Sequence, residues 1–372
     1  MKYDVTIIGG GLAGLSLALD LKKRGRSILV IEIGSYPRHK VCGEYISMES
    51  FEYLNALCPS LKEIDLPFIN KFLLSSIGKK EFKTSLNLGG FGISRYILEN
   101  LLFMEAKNTG VVFSLNNKAL EVKFDKFTEL FSIKTKSGNY CSRIVCNSTG
   151  RKSNFEAKEN INNHLGTNYV GVKYHIKMKR DTTQIEIHNF QGGYCGISNV
   201  EDDKSCLCYI VNSKMLNSVG NSINELEKKY LYQNKNLKKI FSDAEFITKE
   251  PIIISGINFL MKEPISNNIF FLGDSAGTIA PITGNGMSIS LRSAFKLASY
   301  IDNYFCDKIT KQELMESYRD FWIKEFYSRI KLSCHFQKLS EFPFLTKLTI
   351  GLFNLFPSLA KILIKQTHGK PF

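Results

Sequence analysis

The sequence predicts an α/β protein: a Rossmann-type nucleotide-binding domain, an inserted antiparallel β-sheet and a set of C-terminal helices. Three observations carry that expectation. A glycine-rich turn joins a short apolar strand to a helix within the first 25 residues. A run of period-two alternation begins near residue 169, and a second strand–glycine–helix passage occupies residues 269–287. With 372 residues, 44% of them hydrophobic and 23% charged, the chain has material for about two domains and a buried core.

The first element is the most complete. Residues 4–8, DVTII, read as a buried strand and are followed by Gly9-x-Gly11-x-x-Gly14, with Leu12 and Ala13 between the last two glycines. Leu15 and Leu19 then keep helical spacing until Gly25, and a second strand, SILVIEI, carries Glu32 at its tip. Gly9 permits a tight turn, Gly11 admits a pyrophosphate to the backbone, and Gly14 lets helix and strand pack closely. The helix N-terminus offers free N–H groups and a positive dipole end to phosphate. Glu32 is placed to accept from a ribose 2′-OH, and its charge repels a 2′-phosphate, which favours FAD or NAD over NADP.

The third element separates FAD from NAD. Residues 269–287 read IFFLGDSAGTIAPITGNGM: a strand, Gly273-Asp274, Pro281, then Gly284-Asn285-Gly286 leading into a helix at Met287. A carboxylate at a strand end can bond a polyol chain. A glycine turn at a helix N-terminus aims N–H groups at the N1–C2=O edge of a flavin, where negative charge develops. Dehydrogenases that use NAD alone have no need of this passage.

Taken together, these segments resemble the p-hydroxybenzoate-hydroxylase-fold flavoproteins, which include aromatic hydroxylases, squalene-type epoxidases, halogenases and geranylgeranyl reductases. Pro37-Arg38-His39-Lys40-Val41-Cys42-Gly43-Glu44 is similar to the P-x-x-K-x-C-G segment of the geranylgeranyl-reductase-like branch. Ile93-Ser94-Arg95 is similar to the stretch that carries an FAD-contacting arginine. The resemblance implies an FAD-dependent oxidoreductase in which Arg38 and Arg95 hold the cofactor. It also implies that Cys42 and Glu44 pass close to the flavin, where either can donate a proton. Ser148-Thr149-Gly150-Arg151-Lys152-Ser153 stands where the hydroxylases carry an Asp-Gly motif, and the acid is missing. With no second G-x-G-x-x-G, NAD(P)H is expected to dock transiently as electron donor.

The remaining elements follow in order. Residues 111–150 alternate as short strands that return to the nucleotide domain. In YVGVKYHIKM, Val170, Val172, Tyr174, Ile176 and Met178 share one face, while Lys173, His175 and Lys177 share the other. The expected division is residues 1–166 for the first part of the FAD domain, 167–255 for the substrate sheet, 256–305 for its second part and 306–372 for C-terminal helices. His175 and Tyr194 are candidate substrate-lining residues, and residues 222–241 read as a polar helix. The tail from Phe342 is unusually apolar and is broken by Pro343 and Pro357. It reads either as helices packed on the domain or as an edge that sits on a membrane, with Lys347, Lys361 and Lys365 facing anionic lipid.

Composition narrows the partners. A net charge of +14 favours anionic ones, yet the basic residues are scattered and form no nucleic-acid module, so none is expected. The nine cysteines lack disulfide or zinc spacing, no metal is expected, and no secretory signal precedes the first strand. The expected location is cytoplasmic, at the inner membrane face if the tail meets lipid. Halogenases of this fold carry a W-x-W-x-I-P segment, and the single tryptophan here is Trp322 in a helical context. The first expectation is a reductase of C=C bonds in a small lipophilic, isoprenoid or polyene-like substrate. The alternatives are a monooxygenase (hydroxylase or epoxidase) using NAD(P)H and oxygen, and a non-catalytic flavin-binding redox sensor.

Overall fold

The computed structural model describes residues 2–78, 80–151, 155 and 168–372. Its first sheet has eight strands. Along its path lie Ile265–Ser266, Ile269–Phe271, Asn139–Asn147, Lys2–Ile8, Ile28–Ile31 and Val112–Ser114, with Ala119–Asp125 and Leu130–Thr135 joined through Asn139–Asn147. Lys2–Ile8 is parallel to both neighbours, with Val5 opposite Ile28 on one side and Ile144 on the other. Parallel strands are covered on both faces, which is why VTII and ILVI are buried at every position instead of alternately. Val5, Ile7 and Val30 are fully buried. The helix Leu12–Lys23 packs against Arg95–Asn108 and Gly286–Phe305, so both glycine passages end on the same side of the sheet.

The second sheet has nine strands. Its path runs Glu245–Phe246, Tyr169–Lys177, Ser205–Asn212, Gly193–Asn199, Gln184–Phe190, Phe68–Ser75, Glu81–Gly92 and Tyr45–Ser47, and Ile252–Ile257 also pairs with Tyr169–Lys177. Three of these strands come from residues 45–92, so the sheet is larger than the 167–255 expected and residues 1–166 serve both sheets. One pair is parallel: Gln184–Phe190 lies beside Phe68–Ser75, with Gln184 opposite Lys71. Pairing across that sequence separation leaves no local periodic signature. The expected boundary at 166/167 lies outside the described residues, as do Lys152 and Ser153.

One further expectation changes. The single polar helix at 222–241 is two helices, Ile223–Lys229 and Lys235–Asp243. Asn234 breaks it: the side chain accepts from Asn236 N and donates to Ser75 Oγ and Asn189 O, both at 3.0 Å. A residue tied to two other strands cannot also continue a helix. Beyond residue 310 lie the helices Lys311–Ser340, Pro343–Leu355 and Pro357–Thr367. Leu314, Tyr318, Trp322, Phe326 and Ile330 form the buried stripe of the first, and Trp322 is a core residue packed on Phe326.

Candidate active site

The glycine turn is built as steric necessity requires. Gly9 has φ +98°, and a Cβ there would stand 2.6 Å from Ser148 O. A Cβ on Gly14 would stand 2.1 Å from Gly9 O, so helix and turn touch through backbone alone. Gly11 is different. A Cβ there would meet only Lys40 Nζ at 3.2 Å and Glu99 Oε1 at 4.0 Å. The helix it opens has no side-chain cap and no acid in its first turn, so its N–H groups face this open side.

Charged groups gather at that opening. Glu32, 4% exposed, accepts from Gly10 N at 2.6 Å and Gly34 N at 2.9 Å and pairs with Arg38. Burial raises the Glu32 carboxyl, but Arg38 and the two backbone donors outweigh it and hold the group below its ordinary range. Arg38 therefore sits on Glu32, with its other side toward Glu99. Glu99 is fully buried and collects Lys40 at 3.1 Å and Arg95. Burial and the neighbouring arginines push the Lys40 ammonium down, while Glu99 pulls it up. An ammonium beside a helix N-terminus is unfavourable unless an anion joins them, so the residues present fit a pyrophosphate.

The second passage reaches the same region. Asp274 and Arg151 both line a cavity of about 600 Å3, together with Arg95, Pro281, Gly284, Gly286 and Met287. Burial raises the Asp274 carboxyl, and the charges of Arg151, Arg95 and Lys40 offset this only in part. Ser275 Oγ donates to Asn147 O at 2.6 Å, which fixes the Gly273–Asp274 turn to the first sheet. Gly286–Phe305 also starts without a side-chain cap or first-turn acid, because the Asn285 side chain donates away from it, to Thr367 O. Arg151 Nη1 and Asn285 Oδ1 are buried without a partner among the described residues. They are polar atoms that a polar ligand would satisfy. The residues fit FAD: Gly9–Gly14 and Lys40 would hold its phosphates, and Arg95, Asp274, Arg151 and the 284–287 turn would serve the rest of the cofactor.

Cys42 and Glu44 border the cavity too, but they differ in kind. Glu44 has φ +56° and is fully buried. Its carboxylate accepts from Lys173 Nζ at 2.5 Å, His175 Nε2 at 2.6 Å and Arg95 N at 2.7 Å. Burial alone would raise this carboxyl; the His175 hydrogen bond and the Lys173 charge hold it below the ordinary range. Glu44 is thus a carboxylate that accepts, which corrects the expectation that it donates a proton. His175 also changes role. It lies under the 40–44 loop, bonded to Glu44, and does not line the cavity, whereas Tyr194 does. The face carrying Lys173 and His175 is not solvated because this loop covers it: the strand Tyr169–Lys177 is buried on both sides except at Lys177, its last residue. Cys206 and Ser198 complete the clamp, Sγ to Cys42 O at 3.1 Å and Oγ to Gly43 O at 2.8 Å. Although Glu44, His175 and Cys206 present donor atoms to one another, the Lys173 ammonium on the same carboxylate repels a metal cation.

The clamp carries a pH signature. Because the folded Glu44 carboxyl is depressed, its stabilisation is complete above the ordinary value of 4.5 and is lost as pH falls through the depressed value. Wild type is expected to be more stable than Glu44→Gln at neutral pH, with the gap closing in acid. Melting temperatures of the two proteins across pH check this, and a gap that stays constant contradicts it.

Glu99 and Lys173 are site residues that the motifs do not anticipate. Arg95-x-x-x-Glu99 is an i, i+4 pair on one helix and is legible in principle. Lys40 lies inside the quoted loop, and Lys173 reads only as the polar face of a strand.

A family model described as FAD dependent oxidoreductase matches residues 4–40. The chain is 26% identical to a digeranylgeranylglycerophospholipid reductase of Sulfolobus acidocaldarius, over 82% of this chain and 70% of that one. It is 23% identical to conditioned medium factor receptor 1 of Dictyostelium discoideum, over 89% of this chain and 69% of that one. Among solved structures, the flavin-dependent brominase Bmp2 superposes with a TM-score of 0.80 at 19% identity, covering 98% of this chain and 93% of its own. Other solved neighbours are FAD-dependent halogenases and a probable FAD-dependent monooxygenase.

Proposed function

The chain is an FAD-dependent oxidoreductase with the p-hydroxybenzoate-hydroxylase type of fold, and from that premise we propose that it reduces C=C bonds in a lipophilic, isoprenoid or polyene-like substrate. The observation that carries this reading is the cavity. It joins the polar groups at and beside the second glycine passage, Arg95, Arg151 and Asp274, to a wall of hydrocarbon that includes Phe72, Leu74, Ile185, Ile187, Ile254 and Phe259. Such a wall has affinity for a largely apolar chain. FAD, when bound, supplies hydride to the alkene.

The protein's part is positioning, water exclusion and a proton. Apolar walls keep water from the reacting carbons. In this reading Cys42 supplies the proton, from the cavity edge, in a loop held from behind by Glu44, Ser198 and Cys206. The thiol gives that proton to the carbon next to the one that takes hydride, and solvent restores it. The electron donor is NAD(P)H, docked transiently, and the proposed setting is the cytoplasmic side of a membrane. The nine free cysteines suit that reducing compartment.

The test is the product. Anaerobic turnover with NAD(P)H and a polyprenyl alkene is expected to add two hydrogens to the alkene. Incorporation of one oxygen atom, with oxygen consumed, replaces this reading by a monooxygenase. No product under either condition favours a redox sensor. Cys42→Ala is expected to slow reduction by about 10²- to 10⁴-fold with the flavin spectrum unchanged, as loss of a positioned acid does. A rate like that of wild type removes Cys42 from the chemistry.

A further inference from the structure

We propose that the terminal helix pair docks on the surface of an anionic lipid bilayer and admits the substrate from it into the cavity. The proposal rests on the reading of a lipophilic substrate and names where that substrate comes from. The helices Pro343–Leu355 and Pro357–Thr367 meet at 112°, and among the described residues no single helix is long and apolar enough to cross a membrane. Their outer side is nevertheless hydrocarbon. Phe344 is 69% exposed, Leu355 76% and Phe356 60%, with Leu348 and Ile362 also more than half exposed. Apolar side chains this large, adjoining on two short helices, form a patch of the sort that lipid or protein covers.

Charge selects lipid. Residues 342–372 contain four lysines, Lys347, Lys361, Lys365 and Lys370, and no Asp or Glu. Short helices with a greasy face and only cationic charge lie in the interface of an anionic membrane and do not span it. The pair is also held in place as part of the site. Ser76 Oγ donates to Pro343 O at 3.3 Å, and Asn354 Nδ2 donates to Glu81 O at 3.0 Å. Asn285, in the glycine turn at the flavin end, donates to Thr367 O.

The inner side of the same helices is cavity wall, through Phe353, Ala360, Leu363 and Ile364. Leu352 and Leu359 belong to both sides: each lines the cavity, and they are 43% and 36% exposed. A single layer of side chains thus separates cavity from exterior at the bend. A substrate with no polar groups has negligible solubility in water, and a door opening into lipid spares it that passage.

The experiment is sedimentation of the FAD-loaded protein with phosphatidylcholine vesicles, with and without about one-third phosphatidylglycerol. Binding is expected on the anionic vesicles, weakened by salt and by removal of the anionic lipid. The triple variant Phe344→Glu, Leu355→Glu, Phe356→Glu is expected to lose at least about tenfold of the bound fraction. Its flavin spectrum and its rate on a detergent-dispersed alkene are expected to stay as in wild type, while its rate on the same alkene held in vesicles falls. A second variant, Lys347→Glu, Lys361→Glu, Lys365→Glu, leaves the apolar face intact and is expected to lose the preference for anionic vesicles. Wild type that stays in the supernatant, or a triple variant that binds like wild type, overturns the proposal. So does a wild-type dimer that ignores vesicles and becomes a monomer in the triple variant, since a second copy then covers the face. Vesicle binding needs no turnover. If wild type binds and reduces no alkene in vesicles or detergent, the reductase reading has failed and the docking surface stands.

Discussion

Gly11→Val is expected to yield a folded protein without flavin, whereas Gly14→Val is expected to yield little folded protein at all. The two glycines are three residues apart in one motif, yet their surroundings differ. A Cβ at Gly11 meets the far end of the flexible Lys40 side chain at 3.2 Å, and a small swing of that chain makes room for valine. The added methyl groups then stand in the path of the pyrophosphate, and flavin content should fall below about one-tenth of wild type. At Gly14 the obstacle is the Gly9 carbonyl at 2.1 Å, backed by Ser148 Oγ at 2.5 Å. Neither has anywhere to go without parting helix from strand, so the cost is about 3 kcal/mol or more. Circular dichroism for folding and absorbance near the flavin band for cofactor separate the two outcomes. Stoichiometric flavin in Gly11→Val contradicts the site assignment.

Lys173→Met is expected to destabilise the protein by about 3–5 kcal/mol, the penalty for leaving a buried charge without its partner. Lys173 and Glu44 are both fully buried and 2.5 Å apart, so water cannot take over the missing ammonium. Glu44 keeps His175 and the Arg95 N–H, which support it but do not replace the charge. The double variant Glu44→Gln, Lys173→Met is expected to recover much of the loss, because no carboxylate remains to be compensated. Denaturant unfolding of wild type, both singles and the double measures the coupling. Additive effects would mean that the pair is not coupled, and that the loop at Cys42 is held by its other contacts alone.

Much of the nucleotide end was legible, and for a definite reason. Strand, glycine turn, helix and distal acid are consecutive in the chain, so their geometry is dictated by local sterics and by hydrogen bonds between near neighbours. The passage at 269–287 was legible in the same way, although nothing local brings it to the first helix. The region around Glu44 was not. The resemblance of residues 37–44 implies a proton donor at Glu44, and the strand at 169–178 suggests a cavity residue at His175; neither reading includes their partner across the fold. Their properties come from each other, across 131 residues, and from Lys173. Once Lys173 and His175 are under the loop, Glu44 is a buried carboxylate that accepts hydrogen bonds, and the proposed function assigns the proton to Cys42 instead.

The sheet and the tail make the same distinction. Alternation marked Tyr169–Lys177 as a strand, but the partners that bury its polar face lie in residues 40–44 and are invisible to a period of two. The apolar excess beyond Phe342 could be counted in the sequence; whether those side chains turn inward or outward could not. Sequence alone determined the α/β class and the glycine turn between the first strand and the first helix, because these depend on contacts within a few tens of residues. Only the tertiary structure decided which strands complete the second sheet, which carboxylate is neutralised, and which side of the last two helices meets the cavity. Those outcomes depend on desolvation and charge pairing between segments far apart in the chain, and such energies exist only after the segments have met.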